Sequence, residues 1–202
     1  MKTVLLYAVL SYLALYACVW LHEVGHSLLH WRFGCKDSWA RVQVRPYIFF
    51  STPGPVNVEA YSALTPGQRA LSAYGGVLSN LFWAALGGAL LGLAGPDRGC
   101  ASFFLWMFVT LNLGEIVSYL LIGSVYLVSD MSIIAAEYPR LRIPNLLAGA
   151  LLTAGYVWLL TQVPDSFRTF AAVWNIVTII CMCGGRIVFT ALGKRNQARE
   201  DG

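Results

Sequence analysis

His22, Glu23 and His26 form an H-E-x-x-H motif, His22-Glu23-Val24-Gly25-His26. On a helix, residues four apart share one face and lie about 6 Å apart along the axis. Two imidazoles in that relation can ligate one zinc ion at about 2 Å each. Glu23 follows the first ligand and can take a proton from a water activated by the metal. The chemistry this pattern predicts is zinc-assisted hydrolysis. His30 continues the four-residue spacing but falls about 12 Å along the helix from His22, too far to share the ion. It reads as an interfacial side chain. The longer motif H-E-x-x-H-x-x-G-x-x-H is not met, because Leu29 stands at the Gly position and Arg32 at the third His.

The elements that must position these groups belong to a membrane. Of 202 residues, 57% are hydrophobic and 12% are charged, against about 25% charged in an ordinary soluble domain. Residues 3–21, 70–96 and 143–163 contain no Asp, Glu, Lys or Arg, and each is near or above the roughly 18 residues that span a bilayer. Residues 99–129 are interrupted only by Glu115. Residues 169–185 are followed by Arg186, close enough to a membrane face to snorkel. The expected fold is an all-α polytopic membrane protein with about five transmembrane helices. Its organisation reads as a core over 1–138, two accessory helices over 139–193 and a solvated tail over 194–202.

Between the first two spans the pattern changes. "ARVQVRP" alternates polar and apolar residues, "YIFF" is aromatic and β-branched, and "STPGPVNVEA" supplies a Pro-Gly turn and a second alternation. These features predict a β-hairpin or small sheet over 40–60, at the interface or lining a cavity, since open strand edges cannot face lipid. Lys and Arg concentrate after the first span, after the third and in the tail, which predicts an outside N-terminus and a cytoplasmic C-terminus. The apolar run after Lys2 also resembles a signal peptide, but it continues to Leu21 and four further spans follow. The net charge of +4 is dispersed over loops and tail, with no compact basic patch, so nucleic acid is not an expected partner. Five cysteines make no disulfide framework and read as small buried hydrophobes.

A catalytic zinc needs a third protein ligand and an open position. With the first span running inward and the third ending on the same side, Asp130 is the leading candidate. Glu59, in the predicted hairpin, is an alternative. Glu115 would lie about 22 Å from Asp130 on a continuous helix and fits less well. In the second span, Gly75-Gly76 and Gly87-Gly88 permit close helix approach. Asn80 reads either as an interhelical hydrogen-bonding residue or as a donor to a substrate carbonyl or oxyanion.

"HEVGH" on a membrane helix, then "GGVLSN" (Gly76-x-x-x-Asn80), then an Asp near the end of a later span resemble the site-2 protease family of intramembrane zinc metalloproteases. The resemblance covers about residues 1–135. It implies Zn²⁺ held by His22, His26 and Asp130, Glu23 as general base, and Asn80 beside the active site. It also implies that a substrate strand would be received by residues 40–60, with Val56, Val58 and Gly76 as candidate contacts. The substrate would be a transmembrane or membrane-anchored protein cleaved near the cytoplasmic face. The alternatives from other classes are a catalytically silent metal-binding scaffold and a metal-ion transporter.

Overall fold

The structure is a computed structural model that describes residues 2–48, 51–94 and 99–200. Five helices are long and apolar enough to cross a membrane: Lys2–Arg32, Pro66–Leu93, Gly99–Tyr126, Pro139–Gln162 and Asp165–Leu192. Helices suit such sequence because they satisfy every backbone donor and acceptor within the segment. The first is α1 (Lys2–Arg32), the second α3 (Pro66–Ala94), and the third begins as α4 (Gly99–Val117). These three pack against one another and form the centre of the molecule. The fourth span contains α7 (Arg142–Gln162), and the fifth is α8, which continues to Glu200. Residues 194–200, expected to be a solvated tail, extend this last helix, while 201–202 lie outside the described residues.

Local sequence explains where the helices start. Thr65 and Gln68 form a reciprocal cap: the Gln68 amide N–H donates to Thr65 Oγ1, and Gln68 Oε1 accepts from Thr65 N–H at 2.9 Å. Pro66 occupies the first helical position, where its missing N–H costs nothing. The short helix α2 (Val58–Ser62) is capped by Asn57, whose side chain accepts from Ala60 N–H at 3.0 Å.

The hairpin predicted for 40–60 is not formed among the described residues. That segment holds one isolated antiparallel bridge, Gln43 with Thr52, and its end is the helix α2. Phe49 and Phe50 lie outside the described residues. Pro46, Pro53 and Pro55 remove three donors from a stretch of ten residues, so a ladder cannot propagate. The segment is instead tied down by side chains. Tyr16 Oη donates to the Val44 carbonyl at 3.2 Å, Tyr12 donates to Pro46, and Lys36 donates to the Arg41 and Pro53 carbonyls.

The third span is irregular at its end. Ser118–Gly123 is π-helical and Ser124–Tyr126 is the short helix α5. Leu127 and Ser129 then take positive φ, each at 52°. Such conformations in non-glycine residues cost on the order of 1–3 kcal/mol each and persist only where surrounding structure enforces them. They turn the chain into α6 (Asp130–Glu137), so Asp130 opens a separate short helix just beyond the span. Arg69 of α3 fastens α6 with a two-pronged ion pair to Glu137, Nε to Oε1 at 2.5 Å and Nη2 to Oε2 at 3.1 Å.

Candidate metal centre

α1 carries His22, Glu23 and His26 on its buried side, at 4%, 8% and 5% exposure. The two imidazole planes cross at 76° with centroids 4.8 Å apart, which brings their Nε2 atoms to 3.1 Å. Asp130 Oδ2 lies 3.5 Å from His22 Nε2 and 3.3 Å from His26 Nε2. Ligands at about 2.0–2.1 Å in tetrahedral geometry stand about 3.3 Å apart. The three separations straddle that value. Among the described residues this is the one group of His, Cys, Asp or Glu side chains close enough to hold a metal ion.

The hydrogen bonds around the group bear on whether it suits a cation. His26 Nδ1 is 2.7 Å from the Ser72 carbonyl, which can only accept. In the neutral ring the proton therefore sits on Nδ1, and Nε2 presents a lone pair. Asn80 faces Nδ1 of His22 at 3.2 Å through its amide nitrogen, while its Oδ1 is buried without a partner. Turning the amide over, a change that heavy-atom positions do not distinguish, lets Oδ1 accept from His22 Nδ1–H. His22 Nε2 then carries a lone pair as well. Asp130 Oδ2 is likewise buried without a hydrogen-bond partner. Lone pairs converging at about 3.3 Å repel unless a proton or cation lies among them, and the donor set of two imidazoles and one carboxylate fits zinc.

Glycines make the group possible. A methyl on Gly76 would collide with both imidazoles, and one on Gly25 would collide with the backbone of Gly75. Gly76 therefore lies flat against the two imidazole rings, and the α1 and α3 backbones touch beside them.

A cavity of about 630 Å³ opens onto the group and is lined by His22, Glu23, His26 and Asp130. Val56 and Val58 also line it, from the irregular segment and from α2 rather than from a strand. Glu59 lies in α2 and Glu115 in α4, and neither joins the three-residue group. His30, expected at the interface, is buried at 7% exposure and lines the cavity.

The largest departure concerns Arg186. It does not snorkel. Its Nη2 pairs with Glu115 Oε2 at 2.6 Å and its Nη1 donates to Ser118 Oγ at 2.6 Å. Its guanidinium lies 3.9 Å from the centre of the Tyr119 ring, and Tyr119 stacks on His22 with centroids 4.8 Å apart at 17°. The fifth span thus reaches the His22 ring through one aromatic side chain. The signal for Arg186 was present, since an ionisable residue inside an apolar span marks a partner or a site by default. Tyr119 and the Ser72 carbonyl carry no such signal.

Comparison of the chain with protein-family models, with curated proteins and with solved structures found no match.

Proposed function

We propose that the chain is a zinc-dependent intramembrane endopeptidase that cleaves membrane-anchored proteins near the cytoplasmic face, in the manner of the site-2 proteases it resembles. Its N-terminus would lie outside and its C-terminus in the cytoplasm. The observation that carries the reading is the convergence of His22, His26 and Asp130 on one point, with Glu23 beside them in the same cavity. His22 and His26 would hold the metal through Nε2 and Asp130 through a carboxylate oxygen, leaving a position open toward the cavity.

When bound, zinc would polarise the scissile carbonyl and make a water more acidic. Glu23 accepts a proton from the water as its oxygen bonds to the carbonyl carbon. It then delivers that proton to the departing nitrogen as the C–N bond breaks, leaving a carboxylate and an amine. Ser72 and Asn80 hold the imidazoles in the tautomers that ligation needs, so Asn80 acts through His22. The apolar cavity wall restricts water around the reacting bond.

The test is cleavage of a single-span substrate by the full chain reconstituted in lipid, with zinc content measured in parallel. Glu23→Gln should retain zinc and lose activity by about 10²- to 10⁴-fold. Asp130→Ala should lose both zinc and activity. Full activity in Glu23→Gln would overturn the mechanism, and full zinc occupancy in Asp130→Ala would remove Asp130 as a required ligand. Zinc flux without cleavage would move the reading to transport.

A further inference from the structure

A peptide hydrolysed at this site has to lie extended, and its exposed amides then need partners inside a largely apolar cavity. The described residues of 40–60 offer one isolated bridge rather than a strand edge, so side chains must meet part of that need. His30 is the cavity-lining imidazole that the metal group does not use. It is 7% exposed, and its Nδ1 is buried without a hydrogen-bond partner. A structural core histidine would ordinarily be satisfied by its surroundings. Here the ring is instead held by Tyr61, edge to face at 86° with centroids 5.4 Å apart. Sheltering Nδ1 as a lone pair costs less than burying an unpaired N–H, and that leaves the proton on Nε2.

Position matters as much as chemistry. His30 is one helical turn beyond His26, about 6 Å along the axis. An extended chain advances about 3.3 Å per residue, so 6 Å corresponds to about two residues of substrate. Val56, Val58 and Ile133 on the cavity wall offer apolar surface to substrate side chains, while an imidazole suits the polar main chain between them.

We propose that His30 is a substrate-binding residue, hydrogen-bonding the main chain of an extended peptide about two residues from the scissile bond. The inference rests on the hydrolytic reading above. It adds that recognition on this side of the bond is directed at the backbone and tolerates varied side chains.

The experiment uses the zinc-loaded full chain in detergent and two synthetic peptides spanning the cleavage site mapped in the single-span substrate. The long peptide extends four residues on each side of the bond and the short one extends one. His30→Ala should raise KM for the long peptide about five- to tenfold, the worth of one hydrogen bond, with kcat within about twofold. The short peptide should be unaffected, and His30→Gln, which keeps a donor, should recover most of the loss. Zinc content and melting temperature of each variant report on folding. An unchanged KM for the long peptide overturns the proposal, as does an equal rise for both peptides or a fall in kcat that tracks lost zinc. Absence of cleavage by the zinc-loaded wild type overturns the hydrolytic reading and this inference with it. Normal cleavage with no effect of His30→Ala overturns the inference alone.

Discussion

The third and fifth spans are comparably apolar, yet over an apolar 18-residue stretch of each, 72% of the third is buried within the protein and only 12% of the fifth. Apolar composition says that a helix can enter a bilayer; it does not say which neighbours it meets there. The polar residues do. The third span carries Thr110, Asn112, Glu115 and Ser118, all buried. In the fifth span Asn175 and Arg186 face inward, while Ile176, Val177 and Ile180 are exposed. Asn175 accepts from Tyr156 Oη at 3.0 Å and donates to Thr110 Oγ1 at 3.1 Å, which joins the fourth, fifth and third spans. Arg186 makes the second tie, about three turns further along. The outer helices combine these polar ties with local packing, such as Phe167 and Phe170 against Phe103, while the inner ones pack along their length.

Five substitutions break or sharpen this contrast. If the polar ties are what hold the fifth span, Arg186→Met should destabilise the protein by about 3–5 kcal/mol, because Glu115 is left buried and unpaired. Adding Glu115→Leu should recover most of that loss, and unfolding in mild detergent reads both. Within the packed centre, Met107→Ala should cost about 2–5 kcal/mol. Leu151→Ala, on an outward face at 76% exposure, should stay within about 0.5 kcal/mol in the same measurement. At the site, Asn80→Ala should weaken zinc binding about 10- to 100-fold by releasing the His22 ring. A chelator competition assay checks this, and an unchanged affinity would show that packing alone orients His22.

A pH-dependent effect concerns the tie between α3 and α6. Its hydrogen bond from Arg69 holds the Glu137 carboxyl below its ordinary value. Its stabilisation is therefore fully present above the ordinary carboxylate pKa of about 4.3 and is lost as pH falls through the lowered folded value. The melting-temperature gap between wild type and Glu137→Gln should be steady near neutrality and close in acid. A gap that persists in acid would assign the effect to packing.

The contrast also explains what could be read before the structure was known. Long apolar runs, charge-free except for Glu115 in the third, locate all five spans because the bilayer sets a length that composition alone can meet. His22, Glu23 and His26 announce themselves because one helix fixes their relation. Asp130 emerged only by placing span ends on a common side, and its true setting, a strained turn into α6, has no local signature. The β-element failed because alternation is a weak signal against three prolines. Arg186 was misplaced because its partner, Glu115, is 71 residues away on another helix, and no periodicity links them. His30 was judged from its distance to the metal, when its environment depends on Tyr61 and the cavity.

The contact between the Gly25 and Gly75 backbones has a consequence for the thermodynamics of loading. Main chain touching main chain leaves no rotamers to reorganise at the seam where the two imidazoles stand. The entropy of ordering these helices is met during folding, so the ion would meet ligands already near their final positions. Loading should then be fast and weakly dependent on viscosity. A bulkier residue at either glycine would convert a preorganised receptor into one that has to be assembled around its guest.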